Sequence, residues 1–404
     1  MESITKIFKI GHGPSSSHTM GPKKAAEIFA EKHPDADSFK VSLYGSLALT
    51  GKGHMTDYII LKTLPKPTEI IFKNDESLPL HSNGMIFEAF DDTGKRIDDW
   101  EVYSIGGGEI MDKENKSEKT HIYPQTTMAD IITHLEENGG TFWEYVLDIE
   151  GEGVFDYLEE VWSVMKDAIH RGLEADGTLP GVLKLSRKAP SYHIKANMQN
   201  NFAEDDTFLF AYALAVSEEN AAAGKVVTAP TCGSSGILPA VLYLASKKYN
   251  ISDQRILKAL VVAGLFGNLI KENASISGAE VGCQGEVGSA CSMGAAAMTQ
   301  LLGGTIYQIE YAASSGLEHH LGLTCDPIAG LVQIPCIERN AFGAQRALDS
   351  ALYAIHSDGR HMVPFDNVVE VMEQTGHDLP SLYKETSKGG LAAMGLHGRP
   401  KQPE

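Results

Sequence analysis

The chain has no apolar run near the ~20 residues that a membrane span requires. Its best candidates, GILPAVLYLA and ALVVAGLFGNLI, are about 10 and 12 residues long and read as buried core helices. Positive charge is in deficit: Lys+Arg total 34 against 53 Asp+Glu, a formal net charge of −19. The short LSRK run at 185–188 is too small a basic patch to offset this, so neither nucleic acid nor an anionic membrane is an expected partner. Cysteine is scarce and odd in number, 5 in 404 residues. That argues against a disulfide framework and for free thiols or a metal site. The opening MESITKIFKIGHG has no long apolar stretch and no cleavage site, so a cytoplasmic location is expected. No G-x-G-x-x-G or G-x-x-x-x-G-K-[ST] stands between a strand and a helix, which leaves nucleotide binding unsupported.

What is present is an ordinary globular composition, 43% hydrophobic and 22% charged, long enough for roughly two to three domains. FKVSLYGSLAL, YIILKTL, TEIIFKN and GMIFEAF in the first hundred residues read as short strands between turn residues. GPKKAAEIFAEKH reads as a helix with Pro22 in its first turn. Past a charged stretch, MDKENKSEKTHIYPQ, the pattern turns helical. TTMADIITHLEENG offers Thr126 or Thr127 as N-cap and Gly139 as stop. ISDQRILKALVVAGLFGNLIKEN offers Ser252 as N-cap. Ile337, Ala341, Ala344, Leu348, Ala351 and Ile355 mark one helical face by their steps of three and four. KVVTAP is the one clear strand signal in this half. The expected architecture is an α+β N-terminal domain over 1–115, a linker at 116–126 and a mostly all-α domain over 127–404.

Glycine is plentiful, 40 residues against a usual ~7%, and gathers in loops such as SIGGG, TCGSSG and SGAEVGCQGEVG. Small-residue loops of this kind let backbone approach a ligand closely. Three cysteines stand in or beside them. Cys283 lies in GAEVGCQGEVG, Cys325 in LTCDPIAG and Cys336 in QIPCIERN. Pro335 can open the helix that follows, which puts Cys336 where unsatisfied N–H groups lower a thiol pKa. Pro327 and Pro335 argue against one uninterrupted helix carrying both Cys325 and Cys336. The spacing matches no CxxC-type zinc or ferredoxin pattern, so three buried structural thiols remain an open reading. Cys291, in SACSMGAAAM, reads as core, and Cys232 reads either way. Three thiolates on one iron–sulfur cubane leave an iron without a protein ligand, a Lewis acid. A three-thiolate zinc with a bound water is the alternative.

GPSSSHTMGP sets Ser15, Ser16, Ser17, His18 and Thr19 ahead of a helix start. Hydroxyls and backbone N–H groups there can form an anion pocket for a carboxylate or phosphate. His54, in TGKGHMTD, reads as a solvated loop histidine or as an acid–base group tuned by Lys52 and Asp57. Asn83, in HSNGM, is a plausible amide donor. TAPTCGSSGILPAVL reads as strand, glycine loop and helix. It raises a pyridoxal-phosphate enzyme as an alternative, with GSSG as phosphate cup and Lys184 or Lys271 as Schiff base.

Taken in order, GPSSSHTMGP, YGSLALTGKGHMTD, SNGM, SIGGG, APTCGSSGILPAVL, KENASISGAEVGCQGEVGSACSMGAAA and CDPIAGLVQIPCIERN resemble the iron–sulfur-dependent L-serine dehydratases (L-serine ammonia-lyases). The resemblance runs from about residue 8 to about residue 345 and takes the single-chain form, with the β domain fused ahead of the α domain. It implies an oxygen-sensitive [4Fe–4S] cluster on Cys283, Cys325 and Cys336, and no ligand role for Cys232 or Cys291. The family often has Asn where Cys232 stands. It further implies a substrate site between the domains, with Ser15 to Thr19 holding the carboxylate or amino group of L-serine and His54 as base. A homodimer is expected on the same ground. Related dehydratases of threonine or cysteine, and a serine-sensing module without catalysis, are the other readings.

Overall fold

A computed structural model describes residues 1–114, 120–198, 204–386 and 389–395. Its strands are β1 Ile10–His12, β2 Ser38–Tyr44, β3 Thr68–Lys73, β4 Gly84–Phe90, β5 Arg96–Ser104, β6 Ile110–Asp112 and β7 Lys225–Val227. Five of them form one sheet in the order β3-β2-β4-β5-β6. β2 and β3 are parallel, and the other pairs of this sheet are antiparallel. One face carries the helix Gly21–Lys32, which has Pro22 in its first turn as expected. Phe29 from that helix meets Phe39, Phe87 and Trp100 of the sheet at ring-centroid distances of 5.8, 5.4 and 6.4 Å. The result is an α+β unit with its own core.

TEIIFKN and GMIFEAF are strands, as expected. GSLAL and YIILKTL, read as strand from sequence, are helices Gly45–Thr50 and Thr56–Thr63. Two physical reasons account for the difference. Parallel β2 and β3 cannot be joined by a hairpin, so a crossover must intervene. Gly45 at φ +55 ends β2 and starts it. A four-residue apolar run has no readable period, and here Ile59 and Ile60 face inward while Tyr58 and Leu61 stay exposed. β5 escaped the sequence reading because its first half, RIDD, is charged and exposed.

From Met128 onward the chain is mostly helical. Thr127 caps the first of these helices, accepting from the Asp130 N–H at 3.2 Å, and Gly139 ends it. The helix Ser289–Leu301 lies at the centre, nearly all of it buried and rich in Ala, Ser and Gly. Small side chains let the neighbouring helices Asp253–Asn273, Ile306–Glu318 and Cys336–Ile355 close in around it.

Met1–His12 precede the sheet in sequence yet pack with the helical core. Met1, Ile4, Ile7 and Phe8 are buried there. Gly264 and Gly267 open the groove they fill: a Cβ on Gly264 would stand 2.9 Å from Ile4 Cβ, and one on Gly267 3.1 Å from Ile7 Cγ2. β1 pairs antiparallel with β7, and Thr228 Oγ1 accepts from Lys9 N at 2.8 Å while donating to Ile7 O at 2.7 Å. Part of the expected linker, 116–119, lies outside the described residues, as does residue 115 at the end of the expected first domain. The part from Thr120 is no free excursion, because Tyr123 is buried and bonded to Glu150. No helix among the described residues is long and apolar enough to cross a membrane.

Candidate active site

The serine loop is one wide helical turn, Ser16–Met20, running directly into the helix Gly21–Lys32. Ser15 begins it: its hydroxyl accepts from His18 N at 3.1 Å, and its carbonyl accepts from Thr19 N and Met20 N at 3.0 and 3.1 Å. The crossover between β2 and β3 holds the loop from the other side. Thr19 Oγ1 donates to His54 O at 2.8 Å, and Thr56 Oγ1 donates to His18 O at 2.6 Å. Ser15, Ser16, Ser17, His18 and Thr19 are all buried.

His54 is not a solvated loop residue; it is 2% exposed. Gly53 packs so closely that a Cβ there would lie 2.6 Å from the carbonyl oxygen of Gly330 in the helical unit. The His18 and His54 rings stand 4.4 Å apart. Burial pushes His54 down to about 4, and burial with the field of His54 pushes His18 well below its ordinary value. Both imidazoles are therefore neutral near pH 7. His18 has both ring nitrogens engaged: Nε2 with Ser46 Oγ at 3.0 Å, and Nδ1 with Ser17 Oγ at 3.0 Å and Glu385 Oε1 at 3.2 Å. His54 Nδ1 is buried with no hydrogen-bond partner among the described residues. Asn83 is buried at the start of β4 with its Oδ1 likewise unpartnered, next to Ser82, whose carbonyl accepts from Ser46 N at 3.0 Å. No hydrogen bond joins Asn83 to the serine loop among the described residues.

The helical unit presents three cysteines to this corner from three separate segments. Cys283 sits between a short helix and a wide turn, Cys325 in an irregular loop, and Cys336 at the first position of Cys336–Ile355, behind Pro335 as expected. Cys283 Sγ, Cys325 Sγ and a carboxylate oxygen of Glu286 lie within 4.8 Å of one another. The Cys325 thiol donates toward Cys283, which lowers Cys283 and raises Cys325; Arg339 also favours the Cys283 thiolate. Burial and then the charge on Cys283 push Cys336 up. Cys283 thus acts on both of the other sulfurs, and all three are buried. Three thiolates cannot share this corner without a cation between them. The donor set therefore fits a metal centre. Cys232 and Cys291 do not join it. Cys232 packs its sulfur 3.4 Å from Met20 Sδ, and Cys291 is fully buried within Ser289–Leu301; burial pushes both thiols up.

Four residues that the sequence reading did not single out complete the site. Glu286 lies under the TCGSSG loop, where a Cβ on Gly233 would stand 3.0 Å from its Oε1. Burial and then Glu385 push Glu286 up to about 7. Arg339 donates to Thr324 O at 2.5 Å and pairs with Asp326 at 3.7 Å, near Cys283. Asn340 bonds the glycine loop: Gly236 N donates to its Oδ1 at 2.9 Å, and its Nδ2 donates to Gly233 O at 2.7 Å. The Gly236 amide, a candidate for a phosphate cup, is thus already committed, and Lys271 is paired with Glu2 at 2.8 Å. Glu385 arrives on a late segment laid along the Cys325 loop. Cys325 N donates to Tyr383 O at 2.8 Å and Thr386 N to Cys325 O at 3.2 Å. Burial pushes Glu385 up to about 8, with Cys283 adding to it. Glu286, Arg339 and Asn340 stand inside conspicuous motifs, GCQGEVG and PCIERN; Glu385 stands in none of those singled out from sequence.

The site therefore forms where the two units meet: neutral histidines and hydroxyls from one, thiols and carboxylates from the other. A cleft of about 320 Å³ lined by Ser46, Thr50, Ser82, Glu385 and Thr386 leads to it. The family model of the serine dehydratase beta chain matches residues 3–66 and 62–115, and that of the alpha chain matches 98–392. The chain is 40% identical to an L-serine dehydratase of Streptomyces coelicolor over 96% of its own length and 98% of that protein's. It is 40% identical to L-serine dehydratase 2 of Escherichia coli, covering 97% of this chain and 98% of the relative. An L-serine dehydratase of Helicobacter pylori is 34% identical over 96% and 98%.

Proposed function

Because the chain belongs to the serine dehydratase family, with the beta-type unit fused ahead of the alpha-type unit, we propose that it is an L-serine ammonia-lyase. It converts L-serine to pyruvate and ammonia at the junction of the two units, with a [4Fe–4S] cluster on Cys283, Cys325 and Cys336. The observation that carries this reading is that Cys283 and Cys325, close enough to share a cation with Glu286, lie with buried Cys336 on the helical side of a junction whose other side holds an unpartnered, neutral histidine. When bound, such a cluster supplies a Lewis acid at an iron without a protein ligand.

The chain's own residues account for the rest. Ser15, Ser16, Ser17 and Thr19 bind the substrate carboxylate, supported by their burial ahead of a helix start. His54 removes the Cα proton. Its free Nδ1 and neutral state support it over His18, whose ring nitrogens are both engaged. His18 orients the serine loop, and Asn83 offers an unpaired amide oxygen in the same buried corner. Loss of the Cα proton and of the β-hydroxyl gives aminoacrylate and water. Aminoacrylate tautomerises to the imine, which takes up water and releases ammonia and pyruvate. No net oxidation or reduction occurs.

The test is pyruvate formation from L-serine by anaerobically purified protein, before and after exposure to air. Pyruvate that appears and then fails after air, with loss of iron, is the expected result. No pyruvate from intact, iron-loaded protein rejects L-serine as the substrate, and activity lasting hours in air without iron rejects the cluster.

A further inference from the structure

Glu385 is a carboxyl group without a cationic partner in this site. Its side chain is 11% exposed and approaches His18 Nδ1 at 3.2 Å. Among the described residues, no lysine or arginine forms an ion pair with it, whereas Arg339, the cation nearest the thiols, is taken up by Asp326 and Cys283. Its imidazole neighbour is neutral. Its ionised form is costly to hold away from water without a cation, and a bound substrate can bring one.

The backbone spends conformational energy to hold it there. Glu385 lies at φ +45, a left-handed conformation that a side chain with a Cβ adopts at a cost. The segment is pinned to the Cys325 loop on both sides of Glu385, through Tyr383 O and Thr386 N. Lys384, one residue away, borders the same cleft, but its ammonium donates to Gly376 O at 3.1 Å and forms no ion pair with Glu385. The carboxylate thus points into the site and lines the cleft that leads to it, together with Ser46, Thr50 and Ser82. Glu286, a half-buried carboxyl group, interacts with Glu385 from the helical unit.

We infer that Glu385 is the seat for the substrate's ammonium group and so makes the site select amino acids over the corresponding hydroxy acids. This rests on the amino-acid lyase reading above and assigns the three polar ends of the substrate to three parts of the site. The serine loop takes the carboxylate, Glu385 the ammonium, and the cysteine corner the β-hydroxyl. A carboxylate–ammonium hydrogen bond in a buried site is among the stronger non-covalent contacts available.

The test compares ligands that differ only in that group. L-glycerate is L-serine with hydroxyl in place of ammonium, and its inhibition constant is set against the KM for L-serine in holoenzyme and in Glu385→Gln. Independently of turnover, calorimetric titration compares L-alanine with L-lactate. In the wild type the amino acid is preferred. In Glu385→Gln, KM for L-serine rises at least about tenfold while L-glycerate binds as well or better, and iron content stays at the wild-type level. Glu385→Asp retains part of the preference. A wild type without preference for L-alanine over L-lactate overturns the inference. So does Glu385→Gln, or a folded Glu385→Ala, that keeps the wild-type ratio within about twofold. Absence of pyruvate from wild-type enzyme is a failure of the lyase reading instead, and the calorimetric ratio still decides the role of Glu385.

Discussion

Asn340 joins the first turn of the cysteine-bearing helix to the glycine loop across the site. It is 1% exposed, and it makes three side-chain hydrogen bonds: from Gly236 N at 2.9 Å, to Gly233 O at 2.7 Å and to Cys336 O at 2.9 Å. Truncation in Asn340→Ala strips Gly236 N–H and Gly233 C=O of the partners they have, in a place water does not reach. The Cys336 carbonyl keeps its ordinary helix bond. Leaving a buried donor or acceptor unmet costs about 1–3 kcal/mol each, so the loss is placed at about 2–6 kcal/mol. Asn340→Asp is expected to give no rescue, because it keeps an acceptor for Gly236 N but sets a carboxylate against two carbonyl oxygens. The assay is anaerobic urea unfolding followed by circular dichroism, read as the midpoint shift at unchanged slope. Ser350→Ala on the same helix is the control. Ser350 is 3% exposed and its hydroxyl has no hydrogen-bond partner among the described residues, so its removal changes stability by less than about 0.5 kcal/mol. A loss below about 0.5 kcal/mol in Asn340→Ala, or full recovery in Asn340→Asp, would refute the account of this bridge.

The remaining predictions concern the histidines and thiols. His54→Ala should lower kcat at least about 100-fold with iron content unchanged; equal loss of both would make His54 structural. Cys325→Ser should lose iron and activity, while Cys291→Ala keeps both; a Cys325→Ser protein with full iron content would remove Cys325 from the ligand set. Acid stability carries the signature of the buried imidazole. With His54 at about 4 when folded against 6.5 when free, the unfolded chain binds more protons between those values. Stability is then intact above about pH 6.5 and lost as pH falls toward 4, by about 3 kcal/mol. Glu286 and Glu385, raised in the fold, act with the opposite sign as pH climbs above 4.5. The difference between wild type and His54→Asn isolates the histidine, and parallel curves for the two proteins between pH 4 and 6.5 would contradict its burial.

The helical half was readable because its signals are local. Thr127, Gly139 and the apolar stripe from Ile337 to Ile355 each declare a helix end or face within a few residues. The crossover was misread because what makes YIILKTL a helix is the parallel pairing of β2 with β3, a tertiary fact outside the segment. The cysteines were found from motif context and proline placement, not from spacing. Their convergence depends on three loops that approach only in the folded chain. His54 looked solvated because glycines flank it. One of them, Gly53, allows Gly330 to close over this turn. Glu385 gave no signal at all: its position depends on backbone bonds to Cys325, about 60 residues earlier.

The placement of Met1–His12 has a consequence for how the molecule is assembled on a ribosome. These residues emerge before the sheet and the helices, but the strand partner of β1 among the described residues, β7, follows about 215 residues later in the chain. At ~5–20 residues per second, that partner arrives roughly 10–40 s afterwards. In the interval the whole five-stranded sheet and its helices have emerged and can close on their own core. Ile4, Ile7 and Phe8 wait meanwhile as exposed apolar surface beside an unpaired strand edge, a state prone to wrong association. A segment made ahead of the sheet is thus seated after it, and docking it draws the finished sheet unit against the helices. Expressing residues 1–115 and 116–404 as two separate pieces would leave the first with an apolar tail and the second with an empty groove along Gly264 and Gly267.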